Sequence, residues 1–449
     1  MFSSTLNILA ANPSKRSALS AIAPKRFSKL LSIACVSSLF ADRKSKSEWR
    51  VRNLDRYVVS FYDAGLELLE TKVVIAGGSI NLNDKKSEYG VEGWHLIKSA
   101  IALGENYTPS GSTNFYAEPN VIEISNQTEL NAIRDNPSGS YVLTRDIKLE
   151  AKGDGFDETW GWEPIGDDTK PFGGIFNGNS HKISNLWVNK TSGDDYAGLF
   201  GCIEGGTIKN LELLINESKG VRGESYVGGI AGKIGFGSVI SNSYSIGNVS
   251  GTYEAGGIAG RVGFDSQIIN SFCAGSVSGT CNIGGIAGYV MSGSKITNAY
   301  SKATVNGDSD VGGIAGYVYG DSVISNSYST GNVNGTNNVG GIAGSVEYSS
   351  KVANNAAINQ KVVGRYDINR IVGKLNGSIA SNNFALNVMK IEAEGDEGSD
   401  GTPKADLYFK TQTTYSNAPT FGLGWSFGES DSSPWKKDEG YPYLYWEER

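Results

Sequence analysis

Apolar positions along the second half of the chain fall in short stretches of four to eight residues rich in Val, Ile, Tyr and Thr, separated by Gly, Asn, Ser, Asp and Thr. That pattern predicts strands and turns, not helices. The stretches recur. Gly-Gly-Ile-Ala-Gly begins at Gly228, Gly256, Gly284, Gly312 and Gly340, in steps of 28 residues. A looser copy stands at Ala197-Gly-Leu-Phe-Gly201 and an eroded one at Ile371-Val-Gly373. A second element keeps the period: Asn242-Ser-Tyr-Ser, Asn270-Ser-Phe-Cys, Asn298-Ala-Tyr-Ser, Asn326-Ser-Tyr-Ser, Asn354-Asn-Ala-Ala and Asn382-Asn-Phe-Ala. A third, Gly247-Asn-Val-Ser-Gly251, returns at Gly275, Ala303 and Gly331.

Three strands and three turns fill 28 residues, whereas the four strands of a propeller blade need about 40 or more. Stacked coils, each strand pairing with its counterpart one period on, require this strict spacing, since one added residue flips every later side chain to the other face. The expected fold is therefore all-β, a right-handed parallel β-solenoid (β-helix) of about seven to eight coils over 166–390, capped at both ends. Parity places Ile240, Asn242 and Tyr244 on one face and Ser241, Ser243 and Ser245 on the other. The first set is assigned to the interior. It predicts a structural ladder of Asn242, Asn270, Asn298 and Asn326, whose amides bond coil to coil about 4.8 Å apart, beside stacked rings of Tyr244, Phe272, Tyr300 and Tyr328. Ile230 and Ile234, with their repeats, line the interior of the first element. Lys233, Arg261, Tyr289, Tyr317 and Ser345 form an outward column, read either as a ligand face or as an ordinary solvated one.

These repeats resemble the GLUG motif, found in bacterial surface proteins such as filamentous-haemagglutinin-like adhesins and the N-terminal stalk of streptococcal immunoglobulin A metallopeptidases. Ser138–Ile147, Trp162–Gly166 and Phe172–Leu186 are similar to the opening coils of those proteins, and Trp425 through Trp446 to their close. The resemblance covers about 121–449 and implies a surface-displayed solenoid; it carries over no catalytic residues.

Composition narrows the chemistry. Gly supplies 59 of 449 residues, about 13% and nearly twice the usual share, while charged residues reach 19%. With two His, 86 positions apart, no H-E-x-x-H helix can be built, and there is no C-x-x-C zinc motif or phosphate-binding loop. No apolar run reaches the length of a membrane-spanning helix. Residues 1–52 carry ten Lys and Arg against Asp42 and Glu48; with a total of −7, the remainder is acidic at about −15, which speaks against a nucleic-acid groove. The first 41 residues lack acids, hold nine Ser and end in Leu30–Ala41, a pattern shared by secretory signals and transit peptides; the bland alternative is a disordered start.

The expected organisation is a signal or targeting leader at 1–41, a region of unassigned architecture at 42–120 with strands at Arg56–Tyr62 and Thr71–Ile75 and a short helix between Gly90 and Leu103, an N-terminal cap at 121–165, the solenoid at 166–390, an acidic linker at 391–404 and an aromatic C-terminal cap at 405–449. Trp425, Phe427, Trp435, Tyr441, Tyr443, Tyr445 and Trp446 supply apolar area to plug the last coil.

The densest acidic cluster is Asp154, Asp157 and Glu158 beside Trp160 and Trp162, followed by Asp167 and Asp168. Converging carboxylates could cleave a glycoside and tryptophans could bind sugar; the structural alternative is a loop whose two Trp plug the first coil. Asp308 and Asp310 offer weak calcium ligands, while Asp396–Gly401 opens like a calcium loop but has Leu407 where a bidentate Glu belongs. No other cofactor is expected. His95 and His181 read as ordinary residues. Cys273, replacing an outward Ser, and Cys281, in a turn, could pair, leaving Cys202 single. The expected function is a non-enzymatic, surface-exposed or secreted repeat protein acting in adhesion or as a stalk, with a host or cell-surface glycan or protein as partner, on a bacterial surface, as a monomeric rod or part of a larger assembly. The alternative is a carbohydrate-active enzyme using the 154–168 cluster; a third reading is a bare spacer.

Overall fold

The computed structural model describes residues 121–190 and 196–392, strand segments between 56 and 117, and parts of 402–447. The leader assigned to 1–41 lies outside the described residues. Arg56–Tyr62 pairs antiparallel with Leu68–Ile75 and parallel with Thr113–Ala117, so both predicted strands are present. Trp94–His95 is a strand and not helix; the rest of the helix expected there lies outside the described residues.

From residue 121 onward the chain winds as a parallel β-solenoid of about eight turns. Three sheets run along it, of seven, ten and twenty-one strands. Each full coil lays one strand on the seven-stranded sheet, as in Ala287–Met291, then one on the ten-stranded sheet, as in Lys295–Thr297. It then runs along the long sheet, continuously in Tyr244–Gly256 and Phe272–Gly284 and as three shorter strands in later coils. Pairing follows the 28-residue step: Ile240 with Ile268, Val277 with Val305, Val290 with Val318. The ten-stranded sheet begins at Val121–Ile124 and Ser140–Leu143, so part of the segment expected as a cap already belongs to the coils. Likewise Thr402–Lys404, expected in a linker, pairs with Phe384–Leu386 on the last coil.

Apolar columns fill the interior, among them those represented by Ile286, Val290, Ile296, Val305 and Val311, all fully buried. The open end of the first coil is covered by α1 (Gln127–Ala132), from which Leu130 and the following Ile133 point inward, fully buried. This short helix starts with a reciprocal cap: Asn126 Oδ1 accepts from Glu129 N at 2.9 Å while Glu129 Oε2 accepts from Ser125 N at 2.6 Å.

The corners correct one expectation. Asn210, Asn242, Asn270, Asn298, Asn326, Asn354 and Asn382 all adopt left-handed φ, between 48° and 60°. Asn tolerates that region better than other residues with a Cβ, which accounts for its recurrence. A left-handed residue turns the chain, and parity does not carry across it. Ile240 faces in as expected, but beyond the corner Ser243 and Ser245 are the buried residues, and the rings of Tyr244, Phe272, Tyr300 and Tyr328 face out of the coil. Amide bonds between corner asparagines of successive coils are present at two steps, one of them within the predicted ladder. Asn298 Nδ2 donates to Asn270 Oδ1 at 3.1 Å and Asn382 Nδ2 to Asn354 Oδ1 at 2.8 Å. The four rings stack with centroids 4.7, 4.7 and 4.9 Å apart. A second, inner polar column follows each corner: Ala299 N donates to Ser327 Oγ, Ser327 N to Asn355 Oδ1 and Asn355 N to Asn383 Oδ1, at 3.0–3.1 Å. Buried polar atoms there are satisfied coil by coil.

The aromatic C-terminal residues also lie elsewhere than expected. They run along the flank, over the outward rings, instead of plugging the last coil. Trp446 stacks beside Tyr244 and Phe272 at 6.1 and 5.9 Å, Trp435 packs on Tyr300 and Tyr328 at 6.4 and 5.8 Å, and Trp425 on Tyr328 at 6.3 Å. Trp425 Nε1 donates to the Asn354 carbonyl at 2.8 Å. This cover explains why Tyr300 and Tyr328, although outward, are fully buried.

Candidate binding face

The outer surface of the seven-stranded sheet carries stacked aromatic rings and three ion pairs that project away from both the core and the C-terminal segment. Strand pairing aligns Lys233, Arg261, Tyr289, Tyr317, Ser345 and Lys374 in one column. The column read from the sequence is therefore continuous, with Lys374 as a further member. Beside it runs a corner column, Tyr226, Glu254, Asn282, Asp310 and Asn338, with left-handed φ of 52–58°.

The two columns interlock. Glu254 grips the Arg261 guanidinium with both carboxylate oxygens, Nε to Oε2 at 2.6 Å and Nη2 to Oε1. Arg261 also lies over the rings of Tyr226 at 4.5 Å and Tyr289 at 5.4 Å, so cation–π attraction holds it from both sides. Lys233 pairs with Glu204 at 3.1 Å. Further along, Tyr289 and Tyr317 stack at 5.1 Å with rings 9° from parallel. Tyr317 donates its hydroxyl to Glu347 Oε2 at 2.9 Å, and Lys374 pairs with the other oxygen at 3.0 Å. Burial, and then the accepting carboxylate, push the Tyr317 phenol above its usual range. At Glu347 burial acts to raise the carboxyl, but the bonds from Lys374 and Tyr317 outweigh it and hold the group below the usual range.

Two more ring pairs edge this face. Phe236 and Phe264 stack at 4.9 Å and are 58% and 42% exposed, and Tyr319 meets Tyr348 at 4.6 Å. The sequence reading misses Tyr226, Phe236, Phe264 and Glu347, and it takes Glu254 for a solvated turn residue, whereas Glu254 is buried against Arg261. Tyr226 to Glu254 and Phe236 to Phe264 are each one 28-residue step, and that was the available signal. The face as a whole offers ring edges, phenol hydroxyls and charges fixed by neutralising partners.

In the acidic cluster at 154–168, Asp157 and Asp167 close turns. Asp157 Oδ1 accepts from Thr159 N at 2.7 Å and Trp160 N at 3.0 Å. Asp167 Oδ1 accepts from Thr169 Oγ1, Thr169 N and Lys170 N at 2.6–2.8 Å. These turn-closing bonds, led by the Thr159 amide and the Thr169 hydroxyl respectively, hold both carboxyls below their usual range, the opposite of what a general acid needs. Glu158 sits 3.9 Å from Lys152 at the surface, and Asp154 and Asp168 are exposed. Trp162 is a plug: fully buried, with Nε1 donating to the Leu199 carbonyl at 3.0 Å. Trp160 is 47% exposed and plugs nothing. A cleft of about 250 Å³ opens nearby, and of the cluster only Asp167 lines it. Its cations are engaged, Lys190 with Glu163 at 2.7 Å and Arg134 with the Glu163 and Pro164 carbonyls.

Asp310, a calcium candidate, accepts from Asn338 Nδ2 at 2.9 Å and from Ser345, and the described residues contain no group of three or more His, Cys, Asp or Glu placed to hold a metal ion. His181 lies 3.4 Å from Asp146. Cys273 is not outward: it is buried, with its thiol donating to the Gly285 carbonyl at 2.7 Å. Cys281 lies within the strand Phe272–Gly284 and not in a turn; both are free, as is Cys202. Burial pushes the Cys202 and Cys273 thiols up to about 12. Thiol-reactive reagents at pH 8 should therefore label Cys281 in the native protein and reach Cys202 and Cys273 only after denaturation, read by peptide mass spectrometry. Rapid native labelling of Cys273 would contradict its inward position.

Comparison with known proteins agrees with the repeat architecture. Residues 279–306 and 307–334 match the family model of the GLUG motif. Over 122 residues, 26% of this chain, the sequence is 34% identical to a provisionally named Gly-rich membrane protein of Evansella cellulosilytica, a match spanning 14% of that protein. Over 166 residues, 34% of this chain, it is 33% identical to halomucin of Haloquadratum walsbyi, a match spanning 2% of that protein. The chain thus matches only a small part of the length of these curated relatives. Among solved structures, a provisionally named immunoglobulin A1 protease from Bacteroides ovatus is similar with TM-score 0.47 and 24% identity, covering 74% of this chain and 93% of that one. A second immunoglobulin A1 protease gives TM-score 0.41 and 16% identity, covering 67% and 23%.

Proposed function

We propose that this chain, which carries GLUG-motif repeats, is a non-enzymatic repeat protein displayed at the cell surface or secreted, and that the seven-stranded face is its contact surface for a glycan or protein on another surface. The observation that supports this most is the Arg261 site, where a cation is held between two tyrosines and a bidentate carboxylate. Rigid, pre-paired side chains lose little entropy on binding, and Tyr and Arg are the residues that most often dominate contact energetics. The names of the relatives, a membrane protein and a mucin, favour the same location.

The test is binding of the purified protein to glycan arrays and to cells, repeated with Arg261→Ala and with Tyr289→Ala/Tyr317→Ala. The expected result is binding that falls about tenfold or more in either variant, each such loss being about 1.4 kcal/mol. No binding on either platform, or binding indifferent to both variants, would overturn the assignment of this face. The polysaccharide-cleaving alternative is separated by turnover assays on polysaccharide panels with Asp154, Asp157 and Asp167 changed to Asn and Glu158 to Gln; turnover lost in those variants would favour it.

A further inference from the structure

We propose that the flank formed by Tyr244, Phe272, Tyr300 and Tyr328 is a peptide-docking groove, that its ligand is the Trp-bearing C-terminal segment of this chain, and that the same segment of a second copy can occupy it.

The groove is built by the repeat. The four rings stand one per coil, nearly parallel, with interplanar angles of 20°, 4° and 4°. They form a continuous aromatic strip with Lys302 at its edge, 5.7 and 5.0 Å from the Phe272 and Tyr300 rings. The segment that lies on it reads the strip in pairs: Trp446 spans Tyr244 and Phe272, and Trp435 spans Tyr300 and Tyr328. Two hydrogen bonds fix the register. Tyr300 donates its hydroxyl to Glu447 Oε2, and Tyr328 donates its own to the Pro442 carbonyl, each at 2.7 Å.

The segment is organised as a separate piece. Its strands Trp435–Lys436 and Tyr443–Leu444 form a two-stranded sheet of their own, and Trp425 stacks on Trp435 at 4.6 Å. Among the described residues its attachment to the coils includes ring contacts, two tyrosine hydroxyls and the Trp425 indole, while the coils share backbone ladders with one another. An element that docks through side chains and is joined to its site by intervening sequence is the kind exchanged between copies at low cost. Large aromatics seated in desolvated positions are the usual anchors of such contacts.

The experiment uses the full chain with a specific protease site inserted between Lys404 and Leu423. After cleavage, a fluorescein-labelled peptide of residues 421–449 is added and binding is followed by anisotropy, with circular dichroism reporting the solenoid. The expected result is that the nicked protein keeps its β spectrum, that the labelled peptide displaces the resident segment saturably, and that a peptide carrying Trp446→Ala binds at least about tenfold more weakly. In parallel, two differently tagged intact copies are mixed at high concentration, where exchange of segments would co-purify the tags. A folded nicked protein that ignores the peptide would overturn the proposal. So would loss of the β spectrum on nicking, which would make the segment part of the folding unit, and so would the absence of tag co-purification.

Discussion

Changing Gly284 to alanine is expected to destabilise the protein by about 3 kcal/mol or more, at the upper end of what overpacking costs. A Cβ on Gly284 would meet Ala287 O at 2.0 Å, Ala315 Cα at 2.6 Å and Gly316 N at 2.6 Å. All three are backbone atoms, one from its own coil and two from the next, so no side chain can rotate aside. Relief requires moving two hydrogen-bonded coils apart, which breaks pairings such as Ile286 N to Ile314 O at 2.8 Å. Gly237 is the control. It has φ +76° but nothing within 4 Å of its Cβ, so alanine there should cost only the left-handed penalty of roughly 1–2 kcal/mol. Urea and thermal unfolding followed at 218 nm would compare them. Equal midpoints for the two variants would mean that close approach is not why the motif keeps its first glycine.

The second large effect is expected at Ile286→Ala. Ile286 is fully buried in a column with Ile258 and Ile314, and truncating such a residue costs about 2–5 kcal/mol depending on how far the site collapses. Here collapse is blocked, because the coils above and below are fixed by backbone bonds from Ile258 N to the Ile286 carbonyl at 3.0 Å and from Ile286 N to that of Ile314. The loss should lie in the upper half of the range. Ile371→Ala, in the same column but on the edge strand region of the seven-stranded sheet, should cost less, since an end coil has one neighbour fewer and can relax. Chemical unfolding of both variants decides it. If Ile371→Ala proves the more damaging, stability does not accumulate coil by coil as supposed.

The sequence made the solenoid legible because stacking and period are the same constraint: Ile240 pairs with Ile268 only if every coil has the same length. The corners were less legible. Reading Ile240, Asn242 and Tyr244 as one face assumed that a strand continues through Asn242, and its φ of 48° breaks that run. The recurrence of Asn was itself the clue, since a repeated Asn marks a left-handed position as readily as an amide ladder. The same slip placed Cys273 outside. Helix α1 carried a readable cap in Asn126-Gln-Thr-Glu129, overshadowed by the strand pattern around it. The outward position of the C-terminal segment could not be read at all. Tyr300 and Glu447 are 147 residues apart, and no periodicity links them. Of the candidate sites, the Lys233 to Ser345 column was visible as a spacing. Its chemistry, above all the Glu254 grip on Arg261, depended on a corner residue that the sequence assigned to a solvated turn.

The flank contacts bear on how such a chain can change over generations. Whole repeats could be gained or lost by recombination without disturbing the ladders, because each unit brings its own complement of partners. Between Tyr244 and Tyr328 that freedom is curtailed. Trp446 and Trp435 address successive ring pairs, so dropping one unit there leaves an indole without its counterpart. The C-terminal segment thus acts as a gauge, tolerating drift in residues but counting turns.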